Sequence, residues 1–279
     1  MATFQRARSA QQRDLRRQAI LDTTAAMLTA MPVSEVSLNH LSRRVGLAKS
    51  NVLRYFESRE AILLELLDRS TRQWLCELAA QLPAEINPHA AARQRGDQIA
   101  ATLARSLTPH RVLCDLLSAQ AGVLEHNVPV EVAARHKRAT IDNHDALADL
   151  AHHHLPELGD DTWKVCAMAT VVAGALRSHT RLSASVLAAY DADPALAALR
   201  MDFTTAMQET LATLITGAIA RGRPPNAGHR REPRRGPTMK DEPKPRAGRD
   251  GAGPPFRQRQ PASRIRRRWL GRSQAGAGS

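Results

Sequence analysis

Lys49, Ser50 and Asn51 stand in succession within residues 37–60, SLNHLSRRVGLAKSNVLRYFESRE. Their types suit hydrogen bonding to nucleic acid rather than bond breaking. An Asn amide offers a donor and an acceptor that match the edge of adenine, and a Lys ammonium suits guanine or a phosphate. Ser37, Arg43, Arg44, Tyr55 and Arg59 are of the types that hold backbone phosphates, which fix orientation without reading bases. Arg54 suits either task. No nucleophile elbow, phosphate loop, zinc-helix signature or paired carboxylates accompany them, so nothing in the chain points to catalysis.

Such side chains need a rigid element to present them. Leu38, Leu41 and Val45 recur at i, i+3 and i+7, the apolar face of a short helix. Ser42 is small and lies four residues before Gly46, which leaves room for a crossing helix. Gly46 suits a left-handed helix end, and Leu47 plugs the corner. A second helix is expected over residues 48–56, burying Val52, Leu53 and Phe56 and leaving Lys49, Ser50, Asn51, Arg54 and Tyr55 outside. That is a helix-turn-helix, whose second helix fits the major groove. A plain αα-hairpin would need neither the small-residue spacing nor the basic and amide face.

Around this unit the chain reads as helix to about residue 220. A first helix is expected over residues 14–31, with Ile20, Thr24, Met27, Leu28 and Met31 on one face. Arg6, Arg8, Arg13, Arg16 and Arg17 form a basic arm before and within it, either touching DNA or simply solvated. Ser58 is placed to cap a long helix reaching about Leu82. Further helices are expected over residues 90–107, 109–125, 129–154, 160–179 and 194–220, three of them starting at Pro109, Pro129 and Pro194. The last two carry broad apolar faces, for an internal core or for a second subunit.

Composition narrows the class. Residues 61–220 hold 13 Lys/Arg against 18 Asp/Glu, residues 1–60 hold 10 against 5, and residues 221–279 hold 17 against 4. The net charge of +13 is therefore a property of the last segment, while the basic start fits phosphate contact. Residues 222–279 are rich in Arg, Pro and Gly and bury too little to order; a disordered tail is expected, with or without a role in non-specific DNA affinity. Cys76, Cys114 and Cys166 are widely spaced, give no disulfide or metal pattern, and are read as small buried hydrophobes in a reducing cytoplasm. No apolar run reaches the length of a membrane span, and the first residues are polar and basic. His136 and His144 share a helical face and His152, His153 and His154 form a run, but no completed ligand set accompanies them; neither metal nor cofactor is expected.

The motif Gly46-Leu47-Ala48-Lys49-Ser50-Asn51-Val52-Leu53-Arg54-Tyr55-Phe56-Glu57-Ser58-Arg59-Glu60 resembles the recognition segment of the TetR family of bacterial transcriptional regulators. The likeness is strongest over residues 14–66; residues 116–132, LLSAQAGVLEHNVPVEV, look like one regulatory-domain subgroup. Ala48 stands where the family commonly has a hydroxyl residue, Leu53 where it has tyrosine, and Arg59 where it has lysine. The resemblance implies an all-α chain of some nine helices. It would comprise a helix-turn-helix DNA-binding domain (residues 1–57), a helical ligand-binding and dimerisation domain (residues 58–221) and a tail (residues 222–279).

It also implies a sequence-specific regulator, by default a repressor, that binds double-stranded operator DNA as a homodimer. The subunits would meet through residues of about 160–179 and 194–220. A small-molecule effector would enter the C-terminal body, with an aliphatic cavity lined by the helices after Pro109 and Pro129. The alternative reading is an architectural protein bound to DNA without sequence preference through its basic tail.

Overall fold

The computed structural model describes residues 2–222, with side chains from residue 11 onward, so the side chains of Arg6 and Arg8 and the expected tail lie outside the described residues. Eleven α-helices run along this stretch: α1 (Ala2–Leu28), α2 (Leu38–Val45), α3 (Lys49–Val52), α4 (Arg59–Glu85), α5 (Ala92–Leu107), α6 (Arg111–Ala119), α7 (Val130–His154), α8 (Thr162–Thr180), α9 (Ala184–Ala192), α10 (Pro194–Ala197) and α11 (Phe203–Gly222). No strand occurs among the described residues, and no helix there is long and apolar enough to cross a membrane. The fold is all-α: a helix-turn-helix unit at the N-terminus, then a larger helical body.

Helix α1 begins well before the expected start, so Arg13 projects from a helix rather than from a loose arm. Nothing from Ala2 to Leu28 is Gly or Pro, and an uninterrupted run of tolerant residues lets the helix propagate. Ile20, Leu21, Thr24, Met27 and Leu28 from α1 meet Leu41, Val52, Phe56, Ile62 and Leu63 in one buried cluster, which locks α2 and α3 onto α1 and α4.

In the body, α4 packs against α5, α6 and α7, α6 lies along α8, and α11 runs beside α5 and α8. Two glycines permit the closest crossings. A Cβ on Gly174 of α8 would fall 2.9 Å from the Leu117 backbone of α6, and one on Gly96 of α5 would fall 2.7 Å from the Ile215 side chain of α11. The Trp74 indole donates to Ser106 Oγ at 2.9 Å, satisfying a buried N–H between α4 and α5. Buried Asp115 on α6 accepts from Arg177 on α8 at 2.6 Å, with Arg181 3.2 Å away.

Several expected boundaries move. The helix expected over residues 109–125 stops at Ala119 and loosens into a π-helical turn, Gln120–Leu124, that contains Gly122. The helix expected over residues 194–220 is broken: α10 ends at Ala197, and α11 starts at Phe203 because Asp202 accepts the Thr205 N–H at 2.8 Å and acts as a fresh N-cap. Leu196 and Leu199 therefore leave the expected apolar face and are exposed, and α9 and α10 bury no residue of their own. Cys114 and Cys166 are buried as expected, but Cys76 is exposed, because it falls on the outer face of α4 between inward-facing Leu75 and Leu78.

Candidate nucleic-acid interface and ligand cavity

The reading element is built on a tight corner. Ser37 caps α2 by accepting the His40 N–H at 3.2 Å, and its hydroxyl proton stays free for a phosphate. Gly46 ends α2 at φ 73°, and the Leu47 N–H returns to the Ser42 carbonyl at 2.9 Å, closing the end in a Schellman turn. Ser42 is buried at this corner, and Leu47 packs on the core.

The second helix is shorter than its sequence suggests. Regular α3 spans only Lys49–Val52; beyond it the chain tightens into i→i+3 bonds, Arg54 N–H to Asn51 and Tyr55 N–H to Val52, before Phe56 anchors it. Ala48 precedes it as an N-cap with no side-chain hydrogen bond. Leu53 is 42% exposed, so it does not plug the core as expected; Val52 and Phe56 fill that space, and the tightened turn carries Leu53 outward.

Lys49, Ser50, Asn51 and Arg54 are exposed together on this short segment, Arg43 and Arg44 are exposed on the last turn of α2, and Tyr55 and Ser37 are half-buried beside them. Arg59 departs from its expected role. Its guanidinium donates to the Val33 and Val36 carbonyls and lies 2.9 Å from the Glu60 carboxylate, so it ties the loop before α2 to the start of α4. An arginine with its fork filled by two carbonyls and a carboxylate has little left for a phosphate.

Arg17 also proves internal. Its guanidinium lies 4.2 Å over the Phe56 ring, donates to the Tyr55 carbonyl and pairs with Glu65 of α4. It thereby fixes the end of the reading segment to the long helix. Among the Arg residues of the first helix nothing local distinguishes it; its partners are 38 and 48 residues away in sequence.

A cavity of about 450 Å³ opens in the body between α4, α6, α7 and α8. The helices after Pro109 and Pro129 do line it, but α4 and α8 contribute as much, through Asp68, Thr71, Thr170 and Ser178. The wall is mostly apolar and holds no aromatic Phe, Tyr or Trp, but polar groups are set into it. His136, Asn143 and His144 of α7 face it with these residues, and Leu67, Leu117, Ala121, Val171 and Ala175 supply apolar surface. Their polar types fall inside apolar stripes of α4 and α7, a signal the sequence carried without saying where the stripes meet.

Burial lowers the pKa of His136 and His144 below the usual imidazole value, so both are neutral at pH 7. Burial works against the charge of Glu125, yet hydrogen bonds from Lys137 and Gln120 hold its carboxyl below the usual range. Among the described residues no group of three or more His, Cys, Asp or Glu is placed to hold a metal ion. The histidine run ends α7, with His153 and His154 stacked edge to face.

A helix-turn-helix head on a helical body is the build of a transcriptional regulator, and comparison with known proteins gives the same class. Residues 20–66 match the model of bacterial regulatory proteins of the tetR family, and residues 68–222 match the tetracyclin repressor-like C-terminal domain. The chain belongs to the TetR family. It is 39% identical over 75 residues to the HTH-type transcriptional regulator EthR of Mycobacterium tuberculosis, a match covering 27% of this chain and 33% of that protein. The chain thus spans a third of the length of the curated relatives it matches.

Similar solved structures include the fatty acid degradation regulator FadR of Bacillus halodurans, 11% identical with a TM-score of 0.46 over 72% of this chain and 95% of that one. FadR of Bacillus subtilis in complex with stearoyl-CoA is 12% identical, with a TM-score of 0.44 over 72% and 98%.

Proposed function

We propose that this chain is a homodimeric, sequence-specific DNA-binding regulator, by default a cytoplasmic repressor, released from its operator by a small molecule bound in the body. The observation that carries the reading is the exposed Lys49-Ser50-Asn51 run held on buried Val52 and Phe56 and on half-buried Arg17 and Arg59. Lys49, Ser50 and Asn51 meet base edges, Ser37, Arg43, Arg44 and Tyr55 meet phosphates, and Arg54 serves either. Residues 1–57 form the DNA-binding part and residues 58–221 the effector and dimer part.

The dimer forms through α8 and α11. Met168 stands exposed on α8, apolar surface that a second copy would cover, and two copies place two short reading elements on one near-palindromic site. The cavity between α4 and α8 is the effector site.

The test is selection of bound sequences from a randomised DNA pool by the full chain and by residues 1–221. Both are expected to recover one inverted repeat, and Asn51→Ala to lose selectivity at particular base pairs. Binding of all DNA alike by the full chain, with none by residues 1–221, would sink this reading and support tail-driven architectural binding.

A further inference from the structure

The hydroxyl groups that line the cavity have spent their protons. Thr71 Oγ1 lies 2.8 Å from the Leu67 carbonyl, Ser118 Oγ 2.8 Å from that of Asp115, and Thr140 Oγ1 3.0 Å from that of His136. Thr170 Oγ1 lies 2.8 Å from the Ala167 carbonyl and Ser178 Oγ 3.2 Å from that of Gly174. A carbonyl only accepts, so each hydroxyl donates inside its own helix and keeps only lone pairs for a guest.

The nitrogen groups add further acceptors. Asn143 gives one amide N–H to Asp68 at 2.9 Å and keeps its carbonyl oxygen and its second N–H. Thr170 has already used its proton, so His144 must donate through Nε2 at 3.1 Å, which leaves Nδ1 bare in the neutral ring. His136 Nε2 lies 3.1 Å from the Gln120 amide nitrogen and 3.2 Å from a Glu125 oxygen that also receives Gln120 and Lys137. When Nε2 gives its proton to the carboxylate, Nδ1 is a bare acceptor; when Nε2 instead accepts the second Gln120 N–H, Nδ1 carries the proton. His136 is only 6% exposed, and its Nδ1 is the buried side-chain polar atom without a partner among the described residues.

The charges in the wall are already matched. Asp68 faces Arg72 at 2.6 Å besides Asn143, and Lys137 sits 2.6 Å and 2.7 Å from the two Glu125 oxygens. A carboxylate entering here would meet lone pairs, and an ammonium would find the carboxylates taken; either would be desolvated without compensation.

We propose that the effector is an uncharged amphipathic molecule whose polar end donates hydrogen bonds through O–H or amide N–H, its apolar body lying against Leu67, Leu117, Val171 and Ala175. This rests on the reading of the cavity as the effector site. A volume of about 450 Å³ suits a small organic ligand.

The experiment is calorimetric titration of the full chain, without DNA, with octan-1-ol, octanamide, methyl octanoate, octanoate and octylamine. These share one apolar body and differ in donors and charge. The alcohol and the amide are expected to bind at least about tenfold tighter than the ester, the carboxylate and the amine, a difference of about 1.4 kcal/mol.

An ester or carboxylate binding as tightly as the amide, an amine binding tighter, or no binding by any member would overturn the proposal. Ala121→Phe, at an exposed position of the wall outside α8 and α11, is expected to weaken octanamide at least about tenfold with an unchanged melting curve. Undiminished binding by that variant would place the guest elsewhere and equally defeat it. Operator binding measured without ligand is independent: it survives if the ligand class is wrong, whereas donor-selective binding with no operator would sink the regulator reading instead.

Discussion

Arg135 of α7 reaches Glu57, the residue that ends the reading segment, with one guanidinium nitrogen 3.1 Å and 3.2 Å from its two carboxylate oxygens. Burial opposes the charge on Glu57, but its own backbone N–H and Arg135 hold the carboxyl below the usual range. The next residue along α7, His136, lines the cavity. One turn of one helix therefore touches both the proposed effector site and the DNA-binding part.

Both partners of that bridge are about half exposed, so it adds at most about 1 kcal/mol of stability. Arg135→Ala should shift the melting temperature by no more than about 3 °C while speeding amide exchange across residues 55–59. Mass-spectrometric hydrogen exchange checks this. Unchanged exchange there would mean the bridge does not hold the reading segment.

Arg59 and Lys49 should separate cleanly. Arg59→Ala leaves the Val33 and Val36 carbonyls without their donor and should cost about 2 kcal/mol in urea unfolding. Lys49→Ala, at an exposed position, should change stability by less than about 0.5 kcal/mol. It should instead weaken DNA binding and relax the preference at one base pair. Equal loss of stability in both would contradict the division of roles.

Stability should fall on mild acidification. His136 and His144, and less deeply His154, have folded pKa values depressed by burial below the ordinary 6.5, so the unfolded chain binds more protons below that pH. Their contribution is complete above about pH 6.5 and is lost as pH falls through the folded values, at no more than about 1.4 kcal/mol per pH unit for each histidine. Glu57 and Glu125 are depressed from a lower starting value and act only below about pH 4.5. Urea titrations between pH 5 and 7.5 should show the decline, and His136→Gln should flatten part of it; a profile unaffected by that change would exclude His136 as its source.

The cysteines should react unequally. Burial pushes the thiols of Cys114 and Cys166 up to about 12, while Cys76 is exposed. A thiol reagent at pH 8 should label one cysteine in the native chain and three after denaturation. Rapid labelling of Cys114 or Cys166 in native protein would show the α6–α8 packing to be open.

The corner of the helix-turn-helix was legible because its determinants are local. Ser37, Ser42, Gly46 and Phe56 act within a few residues of where they stand, and helical spacing marks which side chains go inward. The all-α character and most helix starts follow from the same short-range rules. Leu53 escaped them, since one residue of tightening after α3 turns a side chain from the core to solvent. The break before α11 escaped as well, because the capping of Asp202 competes with a helical pattern that reads as continuous through Leu196 and Leu199.

The amino-acid sequence by itself determined the reading element, its family and the order of the helices, because periodicity, caps and turn residues work over a few positions. Only the tertiary structure decided what long-range contacts impose. It tied Arg17 of the basic arm and Arg59 into the scaffold, and it brought Asp68, His136, His144 and Thr170 from three helices around one cavity. The reason is physical: a guanidinium or a hydroxyl has no intrinsic role until packing sets which carbonyl or carboxylate lies within its reach, and that distance is not written in the spacing of residues along the chain.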